Sequence, residues 1–240
     1  MINAGFKKFV FCVEHEAEQI EKQFGDGKQM GINITYSYDG DKLLGTGGAI
    51  RKAFPLLEDN FLLIYGDSFM DINYFELIVK YYNEGKKALM TILKNNNKYD
   101  TSNVEYWNDH IVRYNKKNRS ITMNYIDYGI SIFNKKVFES YEEDKSFDLS
   151  EVYNSLIASG QLANHIVYNR FYEIGTPPAL KEFREYAKDR WFTPHKAIFL
   201  DRDGVINQPV WNEDIEQIDS PFDETQVKWT LNMVEGLKKL

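Results

Sequence analysis

One cysteine, no long apolar run and a shortage of positive charge set the first limits on this 240-residue chain. A lone thiol cannot form a disulfide within the chain, and with no export signal at the start Cys12 fits a reducing cytoplasm. Cys12 also falls in the apolar run Phe9–Val13, where a place in the core is expected. No apolar stretch reaches the length of a membrane span. Lys and Arg number 29 against 36 Asp and Glu, a net charge of −7. Such a balance gives no footprint for nucleic acid and is repelled by an anionic leaflet. A phosphorylated ligand would therefore need local positive charge and a metal ion. The four histidines, His15, His110, His165 and His195, are scattered without metal-ligand spacing. Repeats and low-complexity tracts are absent. What remains, 43% hydrophobic and 27% charged, is the composition of a soluble globular protein with a substantial core, in one domain or two.

The pattern alternates strand and helix. Lys8–Val13, Ile32–Ser37, Phe61–Tyr65 and Ala88–Leu93 read as strands. Between them, Glu14–Phe24, Gly47–Phe54 and Tyr74–Asn83 read as helices, the first ending near Gly25 and the second at Pro55. Such alternation predicts an α/β fold, a parallel sheet with helices on both faces. From Asn103 to Phe133 short strand-like pieces and polar turns predict a mixed or antiparallel extension. Helices return at Leu149–Ala158 and Pro178–Ala187. A polar segment with Trp191 and Pro194 then separates two patterns, so residues 1–188 form one expected domain, 189–195 a linker and 196–240 a second unit. A short apolar strand at Ala197–Leu200 and a helix at Val227–Leu240 are expected in that unit.

Three stretches carry chemistry. Leu44-Gly45-Thr46-Gly47-Gly48-Ala49 is a glycine-dense turn entering a helix, where backbone can approach a ligand and unpaired N–H groups face it. Gly66-Asp67-Ser68 follows the strand Phe61–Tyr65, which places the Asp67 carboxylate at a strand end, suited to hold Mg²⁺ between phosphates. The third is Asp201-Arg202-Asp203-Gly204 after Ala197–Leu200, two carboxylates where open α/β sheets bind their ligands.

In order and spacing, the first two stretches join Gly5-Phe6, Phe24-Gly25-Asp26-Gly27, Tyr125-Ile126-Asp127-Tyr128-Gly129-Ile130 and Phe171-Tyr172-Glu173-Ile174-Gly175-Thr176-Pro177. Together they resemble the sugar-1-phosphate nucleotidyltransferases over roughly residues 1–188. The resemblance implies a Rossmann-like, GT-A-like mixed sheet with helices on both faces. It implies that Leu44, Gly45, Thr46, Gly47 and Gly48 form the nucleotide loop and that Asp67 and Glu173 bind the catalytic Mg²⁺. Glu173 stands where the family commonly has Asp, one methylene shorter. Gly129 and Glu173 would line the sugar-phosphate pocket, with Lys116, or equally Lys117, on the phosphate. Partners implied are a nucleoside triphosphate, with GTP favoured, and a sugar 1-phosphate. The family's opening loop, Gly-Gly-x-Gly-Thr-Arg-Leu, has no counterpart here, so the chain alone is expected not to transfer nucleotides.

Lys196–Asn207, with Asp-Arg-Asp-Gly-Val-Ile-Asn at its centre, is similar to the first motif of the haloacid-dehalogenase (HAD) phosphatases, especially those acting on heptose 1,7-bisphosphate. That resemblance implies Asp201 as nucleophile, Asp203 as acid/base, both as Mg²⁺ ligands, and only the first strand and helix of a HAD-like domain. The expected whole is an internal fragment of a bifunctional enzyme of nucleotide-sugar synthesis, of heptose or mannose type. The competing expectation is a non-catalytic nucleotide-sugar-binding or partner-docking module. Base, sugar and oligomeric state are not written in these motifs.

Overall fold

A computed structural model describes residues 1–14, 16–40, 42–192, 208–221, 223–231 and 235. It divides into two compact units, Met1–Glu185 and Tyr186–Leu240.

The first unit opens with β1 (Lys8–Val13), α1 (Ala17–Phe24), β2 (Asn33–Tyr38), α2 (Gly45–Ala53) and β3 (Asn60–Ile64). β1 and β2 pair in parallel from Lys8↔Asn33 to Val13↔Tyr38. Next come β4 (Ser68–Phe69), α3 (Tyr74–Glu84), β5 (Ala88–Lys94), β6 (Val104–Trp107), β7 (His110–Tyr114) and β8 (Tyr125–Asn134). The unit closes with α4 (Leu149–Ala158), β9 (Leu162–Val167), β10 (Tyr172–Glu173) and most of α5 (Pro177–Ala187). A six-stranded sheet runs in the order β7-β6-β8-β5-β9, with β3 also on β8. β5 and β9 are parallel, whereas β3, β5 and β6 all meet β8 antiparallel. The sheet is therefore mixed, as the middle of the sequence led one to expect.

Alternation along the strands builds a core on each face. Ala88, Met90 and Ile92 of β5 join Phe133, Phe138, Val152, Tyr153 and Ile50 under α2 and α4. Leu89 and Leu93 join Ile126, Tyr128, Ile130 and Ile132 with Leu77 and Tyr81 of α3. Of these covering helices, α3 and α4 start on side-chain caps, while α2 has none. Asn73 accepts from Phe75 and Glu76 N–H, and Asp148 forms a capping box with Glu151.

Several expected boundaries move. α1 begins at Ala17, not Glu14, because Glu16 has φ +57° and breaks the chain direction there. α2 begins at Gly45, two residues early. Cys12 is exposed rather than in the core, since β1 lies outside the six-stranded sheet and pairs with β2 alone among the described strands.

In the second unit, Lys188–Phe192 continues in a π-helical turn where a linker was expected. An antiparallel hairpin pairs β11 (Val210–Asn212) with β12 (Gln217–Asp219). The helix expected from Val227 is absent over 227–231; there the Lys228 carbonyl accepts from the Gln208 backbone N–H and the Trp229 carbonyl from the Gln208 side-chain amide. The strand at Ala197–Leu200 and the residues Asp201 and Asp203 lie outside the described residues.

Candidate active site

Asp67 and Glu173 come from distant parts of the chain and meet across a two-strand ladder. β4 pairs antiparallel with β10, Ser68 opposite Glu173 and Phe69 opposite Tyr172, and the Ile174 N–H donates to the Asp67 carbonyl at 2.7 Å. Phe183 of α5 packs on both Phe69 and Tyr172, with ring centroids 5.0 and 6.0 Å away. Arg170 secures the same corner. Its guanidinium stacks on Tyr99 and Tyr172, each at 4.3 Å, and forks onto Glu182 at 2.7 and 3.0 Å.

The result is a cradle beside Gly175. A Cβ there would stand 3.5 Å from Asp67 Oδ2 and 3.9 Å from Glu173 Oε1, so one empty position faces both carboxylates. Hard carboxylate oxygens suit Mg²⁺, which keeps water and phosphate ligands and needs only one or two from protein. Among the described residues no group of three or more His, Cys, Asp or Glu could hold a metal. The two-carboxylate cradle is thus a partial site of the kind a phosphate-bound metal uses.

Next to it lies Tyr65, after β3. Its ring supports the Lys116 ammonium at 5.5 Å, and the Tyr114 ring lies 6.0 Å from the same ammonium. The Tyr65 hydroxyl is buried without a hydrogen-bond partner. Burial pushes its pKa up, and the charges of Asp127, Asp148 and Asp67 add to the shift. These three acids therefore surround one phenol. Asp148 itself is penalised by burial, but its bonds to Ser150 and the charges of Lys116 and Lys117 outweigh this and hold it below the usual carboxylate range.

Gly129 stands in a bulge of β8. Met90 pairs with Ser131 and Ile92 with Asp127, so Thr91 alone on β5 faces the three residues Tyr128–Ile130. Gly129 has φ +92°, natural only to glycine, and its carbonyl accepts from Tyr65 N–H at 3.4 Å. A Cβ on Gly129 would lie 3.4 Å from both Tyr65 Cδ2 and Met70 Sδ.

The glycine-dense turn is built differently from expectation. The N–H groups of Gly47 and Gly48 donate to the Phe147 carbonyl at 3.1 and 3.3 Å, and Leu149 N–H donates to Thr46 Oγ1 at 2.9 Å. A Cβ on Gly47 would stand 2.3 Å from the Phe147 ring, and one on Gly48 2.7 Å from the Lys145 carbonyl. These two glycines admit the chain at 145–149 rather than present free donors, and Leu44 is buried beneath them. The turn still borders the site, because the segment it grips leads into Asp148.

Asp67, Glu173, Lys116, Gly129 and the Leu44–Gly48 turn are thus all carried by the first unit. Asp127, Tyr114, Asp148 and Gly175 were not singled out in the sequence. Asp127 had a usable signal, an acid inside an apolar strand two residues ahead of a glycine. Gly175 stood within the Phe171–Pro177 motif, which gave it no role of its own.

The profile of the family described as Nucleotidyl transferase matches residues 1–190. The chain belongs to this nucleotidyl transferase family. It is 28% identical over 175 residues to the UTP–glucose-1-phosphate uridylyltransferase of Synechocystis, covering 65% of this chain and 45% of that protein. It is 28% identical over 174 residues to the D-glycero-alpha-D-manno-heptose 1-phosphate guanylyltransferase of Campylobacter jejuni, covering 72% and 76%. The chain spans about half the length of the first relative and of the mannose-1-phosphate guanylyltransferase catalytic subunit beta of Drosophila pseudoobscura, of which 49% is covered. The fold is shared with the crystal structure of HddC from Yersinia pseudotuberculosis complexed with GMP-PN, with a TM-score of 0.61 at 20% identity, covering 77% of this chain and 80% of that one.

Proposed function

We propose that the chain is the nucleotidyltransferase part of a bifunctional nucleotide-sugar enzyme. The whole enzyme joins a sugar 1-phosphate of heptose or mannose type to a nucleoside triphosphate, GTP in preference, and releases pyrophosphate, while these 240 residues alone are expected not to turn over. The observation that carries this reading is the Asp67–Glu173 cradle beside Gly175, with Lys116 over Tyr65 nearby. Catalysis of this kind needs two polyanions aligned and their charge neutralised. Asp67 and Glu173 would hold Mg²⁺, which supplies positive charge at the phosphates when bound. Lys116, rather than Lys117, takes the sugar phosphate, because its ammonium rests on the two phenols of the pocket. Gly129 leaves room for the sugar ring, and Gly45 and Thr46 with Leu44, Gly47 and Gly48 border the nucleotide.

The phosphatase half, with Asp201 as nucleophile and Asp203 as acid/base, rests on the sequence motif alone. A second reading is a nucleotide-sugar-binding or docking module, favoured by one observation: Phe147 occupies the Gly47 and Gly48 donors. The test is a pyrophosphate-release assay with Mg²⁺, mannose or heptose 1-phosphate and each nucleoside triphosphate, run on this chain and on one carrying the family's Gly-Gly-x-Gly-Thr-Arg-Leu loop upstream, beside calorimetry of each ligand. Turnover lost in Asp67→Ala supports the transferase. Metal-dependent nucleotide-sugar binding that is unchanged in Asp67→Ala overturns the site, and binding without turnover selects the module.

A further inference from the structure

A carboxylate turned into the protein is costly for a fold, yet Asp127 stands at the start of the β8 bulge, and its bonds lead to the sugar-phosphate pocket. Asp127 Oδ1 accepts from the Gly129 N–H at 3.0 Å, and Oδ2 accepts from the Tyr114 hydroxyl at 3.1 Å. Its own N–H is pinned by Asn103 Oδ1 at 2.9 Å. One side chain thereby ties two walls together. The first wall is the Gly129 backbone, which bonds to Tyr65 through its carbonyl. The second is Tyr114, which with Tyr65 makes the seat of the Lys116 ammonium. Lys116 is also the cation whose charge acts on Asp127.

We propose that Asp127 is the positioning residue of the sugar-phosphate pocket: its two hydrogen bonds fix the Gly129 bulge and the Tyr114 ring, and so fix where Lys116 stands. This rests on the reading of Lys116 as the phosphate contact, which it deepens. Asp127 acts through hydrogen-bond geometry and does not touch the sugar. Asparagine in its place keeps an oxygen for the Gly129 N–H and offers an amide to the Tyr114 oxygen. Alanine keeps neither bond.

The experiment compares Asp127→Ala, Asp127→Asn and Tyr114→Phe in the full chain with two readouts. The first needs no ligand. Protons next to the Lys116 nitrogen lie over two phenol rings, so ring currents shift their resonance upfield in lysine-labelled protein. That shift is expected to collapse in Asp127→Ala, weaken in Tyr114→Phe and persist in Asp127→Asn. The second is calorimetry with α-D-mannose 1-phosphate and, separately, Mg²⁺ with GTP. The dissociation constant of the sugar phosphate is expected to rise by about tenfold in Asp127→Ala, a little over one kilocalorie per mole, with nucleotide binding and the Asn variant within twofold of the parent. A Lys116 shift that survives Asp127→Ala overturns the proposal, as does equal weakening of both ligands, the mark of a general structural role. Should Asp127→Ala not fold, an unaltered Lys116 shift in Tyr114→Phe overturns it equally. A collapsed shift in a protein whose parent binds no sugar phosphate supports the positioning of Lys116 and overturns the substrate reading instead.

Discussion

The carboxylates of Asp67 and Glu173, more than a hundred residues apart in sequence, converge on one position beside Gly175, 3.5 Å from Asp67 Oδ2 and 3.9 Å from Glu173 Oε1. Neither strand alone brings the two carboxylates together; the β4–β10 ladder does. Ligand charge count tunes affinity for a hard cation, so Asp67→Asn and Glu173→Gln are each expected to weaken Mn²⁺ binding by about tenfold or more. Water-proton relaxation in the presence of nucleotide measures it. Glu173→Asp retains the charge and withdraws it by one methylene, so its affinity should fall between parent and Gln variant. Equal Mn²⁺ binding in all four proteins would remove the cradle from the mechanism.

Two glycines of the same region are expected to answer alanine in opposite ways. On Gly47 a methyl would meet the Phe147 ring at 2.3 Å, inside a buried contact between α2 and the chain before α4. Overpacking of this kind costs about 1–3 kcal/mol, and urea melts should show it. On Gly175 the methyl meets only the Asp67 and Glu173 side chains, all at ordinary contact distance. Stability should hold within about 0.5 kcal/mol, as for surface changes without a packing defect, while Mn²⁺ affinity drops. A Gly47→Ala protein as stable as its parent would contradict the packing role.

The contrast explains what the sequence could and could not tell. Apolar runs with turn residues at their ends made β1, β3, β5 and most helices readable, because burial dictates their pattern locally. The motifs around Asp67 and Glu173 named both residues, and the structure places them side by side. The short strands β4 and β10 were not, since two residues carry no periodicity and exist only by pairing with each other. The glycines of the Leu44–Gly48 turn looked like ligand donors because sequence records that a glycine needs space, not which atoms fill it. Here Phe147 fills it, a hundred residues away. Cys12 failed for a related reason: β1 lies in a two-stranded ladder outside the main sheet, with α2 covering its side chain only in part.

That misplacement has a chemical consequence. The Cys12 Sγ reaches the Ala49 carbonyl at 3.8 Å, and local burial, with the charge of Asp39 adding, pushes the thiol up to about 11. The side chain is accessible in part, but the reactive thiolate is scarce. Relative to an unperturbed thiol at 9.0, the thiolate fraction at neutral pH is lower by roughly a hundredfold. Iodoacetamide should therefore alkylate Cys12 far more slowly than a free cysteine, with a rate rising tenfold per pH unit up to pH 10. Mass spectrometry of timed samples measures it. A plateau near pH 9 would show an ordinary thiol.

Asp127 gives a pH dependence of defined sign. Burial raises its pKa, and the Gly129 N–H, Lys116 and the Tyr114 hydroxyl offset only part of that. The folded protein thus holds this proton to a higher pH than the unfolded chain does. Its contribution to stability is complete below the unfolded carboxylate pKa and is lost as pH rises through the folded value. Asp148 shifts the other way, but it is common to parent and variant and cancels in their difference. Asp127→Asn has no proton to lose and keeps both hydrogen bonds. Urea melts from pH 4 to pH 8 should therefore show the variant gaining on the parent as pH rises above the ordinary carboxylate range. A lead that is flat across the whole range would mean that Asp127 titrates alike in both states. A variant less stable than the parent at pH 7 would mean that the charge itself, held by Lys116, supports the fold more than its burial costs.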